Sequence, residues 1–377
     1  MIDIENAPYT KYSTENPLYK RIDGMRKHHS QGEKNIVYIV SNRYNASIRY
    51  RAENMVKTIN RMLDCNAYIF ELPNINVVLS NLNLVDIIIF QRVICYGADR
   101  YLSCIRENNI PILYDIDDLV FDKKYYGNVH ESIFNQVDMI ITTNAYLQER
   151  LCGTFHKKVY QVNNFMDSVQ YELAVALRKK RNQDISNNNF LIGYFGGESH
   201  YRDLKMIAPE LANFLIRHRD AKLRVIGINN MPEPLAFEEL KGQIMISQYM
   251  DGYKLMEEYS KLDINLIPLV MDDFSQARSE IKFFEAAAVG VVSIASPTEL
   301  YKKIFDKSQA VILSDTGSWL DELEKVYNNK YNLKDMINKA VKYIEKNYTE
   351  EAMIPNLSRI VYDVEKTYAE MLHLGNR

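Results

Sequence analysis

Apolar runs of strand length alternate with helical stretches along most of the 377-residue chain. The alternation begins at Asn35. NIVYIV reads as a buried strand, and SIRYRAENMVKTINRML as an amphipathic helix. AYIFEL, VDIIIF and PILYDI follow as strands, and VDMIITTN and KKVYQVNN complete this half. Continuous apolar strands separated by helices predict a parallel, doubly wound sheet.

The pattern breaks over residues 168–189, where RKKRNQDISNNN is charged and Asn-rich, and this segment reads as a linker. It then restarts. FLIGYF, KLRVIGI, QIMIS, DINLIPLV, VVSIAS and QAVILS read as strands. YRDLKMIAPELANFLIRH, YKLMEEYSKL, SEIKFFEAAAVG and WLDELEKVY read as helices, and two long helical stretches end the chain. The expected architecture is α/β with two Rossmann-like doubly wound domains. The first spans residues 35–170, completed by residues 350–377, and the second spans 185–345. Residues 1–34 are polar and form an extension. Ligands of such sheets sit at the carboxyl ends of strands, so a cleft between the domains is the expected site.

Composition narrows the class. A chain that is 47% hydrophobic and 25% charged has the profile of a soluble globular protein. A net charge of −3 gives no global electrostatic case for nucleic acid. Cys65, Cys95, Cys104 and Cys152 form no CxxC pair and have no His at zinc-finger spacing, so free thiols in a reducing compartment are expected. The N-terminus has no apolar signal core, and VDIIIF is far too short to span a bilayer. The expected location is cytoplasmic, with peripheral membrane contact left open.

Four segments could carry chemistry. In IGYFGGESHYRDL a strand runs into Gly196-Gly197 and then into a helix, with Ser199 a candidate cap. Glycines let backbone amides approach an anion, and His200 and Arg202 stand where they could add positive charge. From the loop alone, a strand–helix turn that simply needs glycine is the favoured account. In RSEIKFFEAAAVGVVSIAS, Ser279 is a candidate N-cap, Glu280 lies in the first turn and Gly290 marks the stop. Arg278, Lys282 and Glu285 are spaced to share one face. Cations at a helix N-terminus oppose its dipole, which a bound diphosphate would offset, and Glu285 could accept hydrogen bonds from a ribose diol. A solvated charged stripe is the competing account. In NRYNASIRYRAEN, Arg49, Tyr50 and Arg51 occupy the opening turn of a helix and suit an anionic ligand or an acceptor, or else form an exposed basic helix end. Asn163, Asn164 and Asp167 need only turn chemistry.

The acid cluster in IPILYDIDDLVFD holds Asp115, Asp117, Asp118 and Asp122. A metal site for a sugar diphosphate, a phosphatase of the haloacid dehalogenase type with MDDF at 271–274 as a faint partner motif, an acidic wall of a sugar pocket, and a plain helix cap are all open on these residues.

Taken together, GYFGGESHYRDL, DINLIPL and RSEIKFFEAAAVGVVSIAS resemble glycosyltransferases of the two-Rossmann (GT-B) architecture, close to family 4. The resemblance covers the layout of residues 35–375. It implies two domains facing a central cleft and a C-terminal helix crossing back to the first. It implies a retaining transfer from a nucleotide diphosphate-sugar to a hydroxyl of a saccharide or lipid-linked saccharide, with no cofactor, no metal and no nucleic acid, and it leaves a homodimer open. Glu285 matches the family's ribose-binding Glu. Lys282, Arg278 and Arg202 would neutralise the diphosphate with Gly196, Gly197 and His200. Asp117 lies over the position of a His that reaches the donor sugar. The family's acid eight residues before that Glu is Ala277 here, beside Gln276, and Ser279 or Glu280 would have to substitute for it. Surface polysaccharide or glycoconjugate assembly in bacteria is the setting this resemblance implies. A non-catalytic partner subunit of the same fold is the other reading that Ala277 raises.

Overall fold

The computed structural model describes residues 18–41, 46–93, 98–119, 121, 131–182, 189–250 and 252–375. Asp122, Cys95, residues 1–17 and 42–45, and residues 183–188 of the expected linker lie outside these. The chain divides into two compact units. One holds residues up to Asp167, the short segment Ala277–Ser279 and the chain from Glu350 onward. The other holds Ser168–Gln276 and Glu280–Thr349.

In the first unit six parallel strands pair in the order β2-β1-β3-β4-β5-β6. They are β1 (Lys34–Val40), β2 (Cys65–Glu71), β3 (Ile87–Gln91), β4 (Ile112–Ile116), β5 (Met139–Thr142) and β6 (Lys158–Gln161). The order reverses between β1 and β3, which makes that gap the switch point where loops part to opposite faces. β1, β3, β4 and β5 are buried on both sides, as their unbroken apolar runs require. The C-terminal helix Glu350–Gly375 belongs to this unit. Met353, Leu357, Ile360 and Val364 fall on one helical stripe and enter the core that β1, β3 and β4 form with Ile36, Ile89 and Leu113. Each such buried side chain contributes about 2 kcal/mol.

The polar extension also contains structure. Leu18–Ser30 is helical and buries Ile22 and Met25. Asn35 at the start of β1 secures it, since Asn35 Nδ2 donates to Met25 O and Leu84 O at 2.9 Å each. The sequence hides this helix because its apolar positions, Leu18, Ile22 and Met25, stop halfway along and a polar half, RKHHS, follows.

In the second unit the order is β12-β11-β10-β7-β8-β9, again all parallel. The strands are β7 (Phe190–Phe195), β8 (Ala221–Ile226), β9 (Ile244–Ser247), β10 (Ile264–Ile267), β11 (Val292–Ala295) and β12 (Ile312–Leu313). The switch point falls between β7 and β10. Their core joins Ile192, Tyr194, Ile264 and Ile294 to the helix Tyr201–Arg217 through Leu204, Ile207 and Leu211, and to Trp319.

The segment expected as a linker starts with a helix, Ser168–Arg181, that is part of this unit. Its charges explain the misreading and the packing together. Arg178 Nη1 donates to Ala288 O, the last residue of the Ile281–Ala288 helix, at 2.9 Å. Arg181 Nη1 donates to Ser260 O, the last residue of the Gly252–Ser260 helix, at 2.9 Å. Two arginines thus satisfy carbonyls that helix ends leave orphaned, while Lys179 and Lys180 stay exposed.

Cys65, Cys104 and Cys152 are free thiols. Among the described residues no helix is long and apolar enough to cross a membrane.

Candidate functional site

Polar side chains collect at the carboxyl ends of the strands beside each switch point, and each unit has its own set.

In the first unit the helix that follows β1 does not start as a regular one. Arg49–Glu53 form a π-helical turn, with Asn54 N–H bonded to Arg49 O, before regular helix runs from Asn54 to Met62. The wider turn places Arg49, Tyr50 and Arg51 inward, and all three are buried. Burial rules out the exposed basic helix end that the sequence also allowed. Arg51 is fully enclosed. Its Nε and Nη2 donate to the two oxygens of Asp115 at 2.8 and 2.9 Å, and Nη1 donates to Val162 O at 2.6 Å. Burial pushes the Asp115 carboxyl up to about 6, with the Arg51 charge and hydrogen bonds opposing it. Asp115 therefore stitches β4 to the π-helical turn. Fully buried and engaged through both oxygens, it cannot attack a phosphate, which removes the nucleophile of the phosphatase reading.

Asp117 and Asp118 have different partners. Ser47 Oγ donates to Asp117 Oδ2 at 2.5 Å and itself accepts from Gln91 Nε2 at 3.0 Å. Arg92 reaches Asp117 Oδ1 at 3.5 Å and donates to Asp118 Oδ2 at 3.1 Å. Asp118 Oδ1 accepts the Leu119 N–H at 2.8 Å. Arg92 holds a left-handed backbone at φ 47°, an uncommon state for a non-glycine residue, and its N–H bonds Asp115 O. The local turn thus falls to Asp118, while Asp117 joins the ends of β1, β3 and β4. Gln91 and Arg92 were missed in the sequence, where they look like an unremarkable polar end to VDIIIF. Among the described residues no group of three or more His, Cys, Asp or Glu side chains is disposed to hold a metal ion.

In the second unit three sequence candidates do meet. A Cβ placed on Gly196 would stand 2.9 Å from Lys282 Nζ and 3.3 Å from His200 Cβ. A side chain there would have to displace the Lys282 ammonium and press on His200. Lys282 is half-buried, and its ammonium stands 5.3 Å from the centroid of the Tyr194 ring, within reach of a cation–π attraction. Gly227, at φ 91°, backs the same loop, and a Cβ on it would collide with Gly196 O at 2.6 Å. The Gly196 N–H is already given to Ile226 O, so of the two glycine amides Gly197 is the one outside the strand ladder. Glu285 follows Lys282 by one turn and is 3% exposed.

Arg278, Ser279, Glu280, Ser199 and Arg202 stand differently from their expected roles. The helix begins at Ile281, with Glu280 at the cap position and no side-chain cap bond, so Arg278 is off the face shared by Lys282 and Glu285. Ser279 does not cap; with Ala277 and Arg278 it groups with the first unit, where Asn144 Nδ2 donates to Ala277 O. Glu280 is 1% exposed, and its charge, after burial, helps push the Tyr348 hydroxyl up. Ser199 likewise makes no cap, because a short 3-10 turn, Glu198–His200, precedes the main helix. Arg202 is paired: it donates to both oxygens of Asp272 at 2.5 and 3.1 Å and to Ser275 Oγ at 3.3 Å, with its side chain 42% exposed. Burial pushes the Asp272 carboxyl up, but the Arg202 bonds outweigh it and hold it below the usual range. Asp272 of the MDDF stretch thus serves Arg202, across the β7–β10 switch point.

Comparison with known proteins follows this geometry. A family model described as glycosyl transferase-like matches residues 209–357, most of the second unit. No curated protein is significantly similar in sequence. The fold is shared with solved structures at low identity. The Anabaena protein HepE, in complex with UDP and glucose, is 11% identical with a TM-score of 0.62, covering 88% of this chain and 100% of that one. A sucrose-phosphate synthase from Thermosynechococcus elongatus is 11% identical with a TM-score of 0.64, covering 89% and 100%. A putative UDP-N-acetylglucosamine 2-epimerase from Listeria monocytogenes is 11% identical with a TM-score of 0.56, covering 90% and 97%. Two parallel sheets flanked by helices, in the topology of these structures, give the chain the GT-B fold.

Proposed function

We propose that the chain is a glycosyltransferase that moves a sugar from a nucleotide diphosphate-sugar to a hydroxyl acceptor, with retention and without a metal ion. The observation that carries this reading is the meeting of Lys282, Gly196 and His200 at the switch point of the second unit, one helical turn from Glu285. A lysine ammonium held against a glycine turn suits a diphosphate, and a buried carboxylate one turn on suits a ribose diol. The family model over this unit and the UDP bound by HepE support the same reading.

In the proposed reaction the bond from the anomeric carbon to the diphosphate breaks as the acceptor oxygen approaches on the same face. The departing diphosphate takes the acceptor proton. Lys282 stabilises the growing negative charge, Glu285 anchors the ribose, and Asp117 accepts from a sugar hydroxyl. Arg202 contributes only by giving up Asp272. Arg49, Tyr50 and Arg51 have no direct part, and the polar set of Ser47, Gln91 and Arg92 takes their place as the acceptor-side candidate. Assembly of a bacterial surface polysaccharide or glycoconjugate, at the inner face of the membrane, remains the setting we favour. A second reading, binding without transfer, draws on Ala277 standing where the family has an acid.

A thermal-shift screen with UDP, GDP, dTDP and their common sugars, with Mg²⁺ or with EDTA, tests the donor class. Stabilisation by one nucleotide in EDTA is expected, and none by any would refute the reading. Lys282→Ala should stay folded and lose transfer by about 10²–10³-fold. Normal turnover in that variant would remove the diphosphate assignment.

A further inference from the structure

Next to the Gly196 turn stands a histidine–carboxylate pair. His200 Nδ1 lies 2.9 Å from Asp203 Oδ2, with the two side chains 13% and 3% exposed. Both residues are fixed from other directions. Asp203 Oδ1 accepts the Val270 N–H at 3.0 Å. The His200 carbonyl accepts the Tyr194 hydroxyl at 2.8 Å, and its N–H bonds Gly197 O. A carboxylate at Nδ1 selects the tautomer protonated there and leaves Nε2 as the working atom of the ring. It also favours the imidazolium, in which Nε2 becomes a charged donor.

The charged groups around the pair come from every neighbouring element. Lys282 on the Ile281–Ala288 helix acts on Asp203, Arg202 Nε is 3.8 Å from Asp203 Oδ1, and Asp272 after β10 takes up Arg202. Glu198 is turned to the Asn229 N–H. Burial pushes Asp203 up, but the His200 and Val270 hydrogen bonds and the His200 and Lys282 charges hold it below the usual carboxylate range. Asp203 is thus an anion at neutral pH, held buried among cations.

We propose that His200, oriented by Asp203, is a pH-dependent contact for the diphosphate of the donor: the imidazolium donates Nε2–H to a phosphoryl oxygen, and the neutral ring forfeits that charge-assisted bond. Asp203 is a positioning residue. This rests on the nucleotide-sugar reading above and adds a property to the same site. Donor affinity then rises as pH falls and the imidazole gains its proton.

Titration calorimetry of the full chain with UDP-glucose, GDP-mannose and dTDP-glucose at pH 6 and pH 8 tests it, because the diphosphate diester of a nucleotide sugar does not itself titrate between these values. At least one probe should bind roughly tenfold more tightly at pH 6, with proton uptake revealed by buffers of different ionisation enthalpy. His200→Gln should bind at both pH values as the parent does at pH 8. Asp203→Asn should move the midpoint of the profile to lower pH. A purely structural pair would lower the melting temperature of these variants and leave the profile in place. Flat binding by the parent, or an intact profile in His200→Gln, overturns this inference and leaves the nucleotide-sugar reading standing. Failure of all three probes to bind at either pH overturns both.

Discussion

Arg51 and Arg202 start from equivalent places in the sequence. Each follows the first strand of its unit, and each opens a helix. Their fates are opposite. Arg51 is fully buried and clamps Asp115 through two hydrogen bonds, whereas Arg202 is nearly half-exposed and holds Asp272. The difference lies in the turn before each helix. The π-helical turn of the first unit rotates its cations inward, while the Gly196-Gly197 turn and the 3-10 turn after it leave Arg202 at the carboxyl end of the sheet. A basic residue at a strand–helix junction is thus either a core clamp or a ligand contact. The acid that meets it, 64 or 70 residues away, helps decide which.

The largest effect expected from this contrast is on stability. Arg51→Met alone should cost about 3–5 kcal/mol, because Asp115 would be left charged and buried. The double replacement Arg51→Met with Asp115→Leu should recover most of that loss, since burial already pushes Asp115 up and the pair is not a net source of stability. Urea denaturation of the three variants measures this. A double variant as unstable as the single would mean that the pair is needed for the unit to fold.

A smaller effect is expected at Asp117. Removing it takes one hydrogen-bond partner each from Ser47 and Arg92, which keep Gln91 and Asp118, a cost of about 0.5–1.5 kcal/mol. Asp117→Asn keeps the Ser47 bond and should restore most of the stability. If Asp117 also contacts a sugar hydroxyl, both variants lose transfer while folded. If kcat/KM of the folded fraction is unchanged, Asp117 only ties the strand ends together.

The fold was legible because burial leaves a local trace. Every described strand overlaps an apolar run read from the sequence, and the stripe Met353, Leu357, Ile360 and Val364 shows why the last helix needs a sheet to cover. The Ser168–Arg181 helix was illegible because arginines that finish other helices look like a solvated linker. At the site, Gly196, His200 and Lys282 were legible, since a strand, a glycine turn and a helix must converge at a sheet's carboxyl end. Asp203 could have been found from its i+3 spacing after His200. Arg92 could not, because its significance lies in a left-handed backbone and in partners 25 and 26 residues further on.

The smallest effect sharpens the comparison most. Arg202→Ala removes an ion pair on a partly exposed surface, and such pairs contribute about 0–1 kcal/mol. Its melting temperature should therefore stay close to that of the parent, in contrast to Arg51→Met. Stability gives this pair little reason to exist, which makes binding the property to test. If Arg202 exchanges Asp272 for a diphosphate, Asp272→Asn should free the guanidinium and tighten nucleotide-sugar binding, while Arg202→Ala weakens it. Opposite signs in the two variants, at equal stability, would identify the pair as a ligand-exchanged contact. Equal and unchanged affinities would return Arg202 to the same class as Arg51, an internal tie that happens to face water.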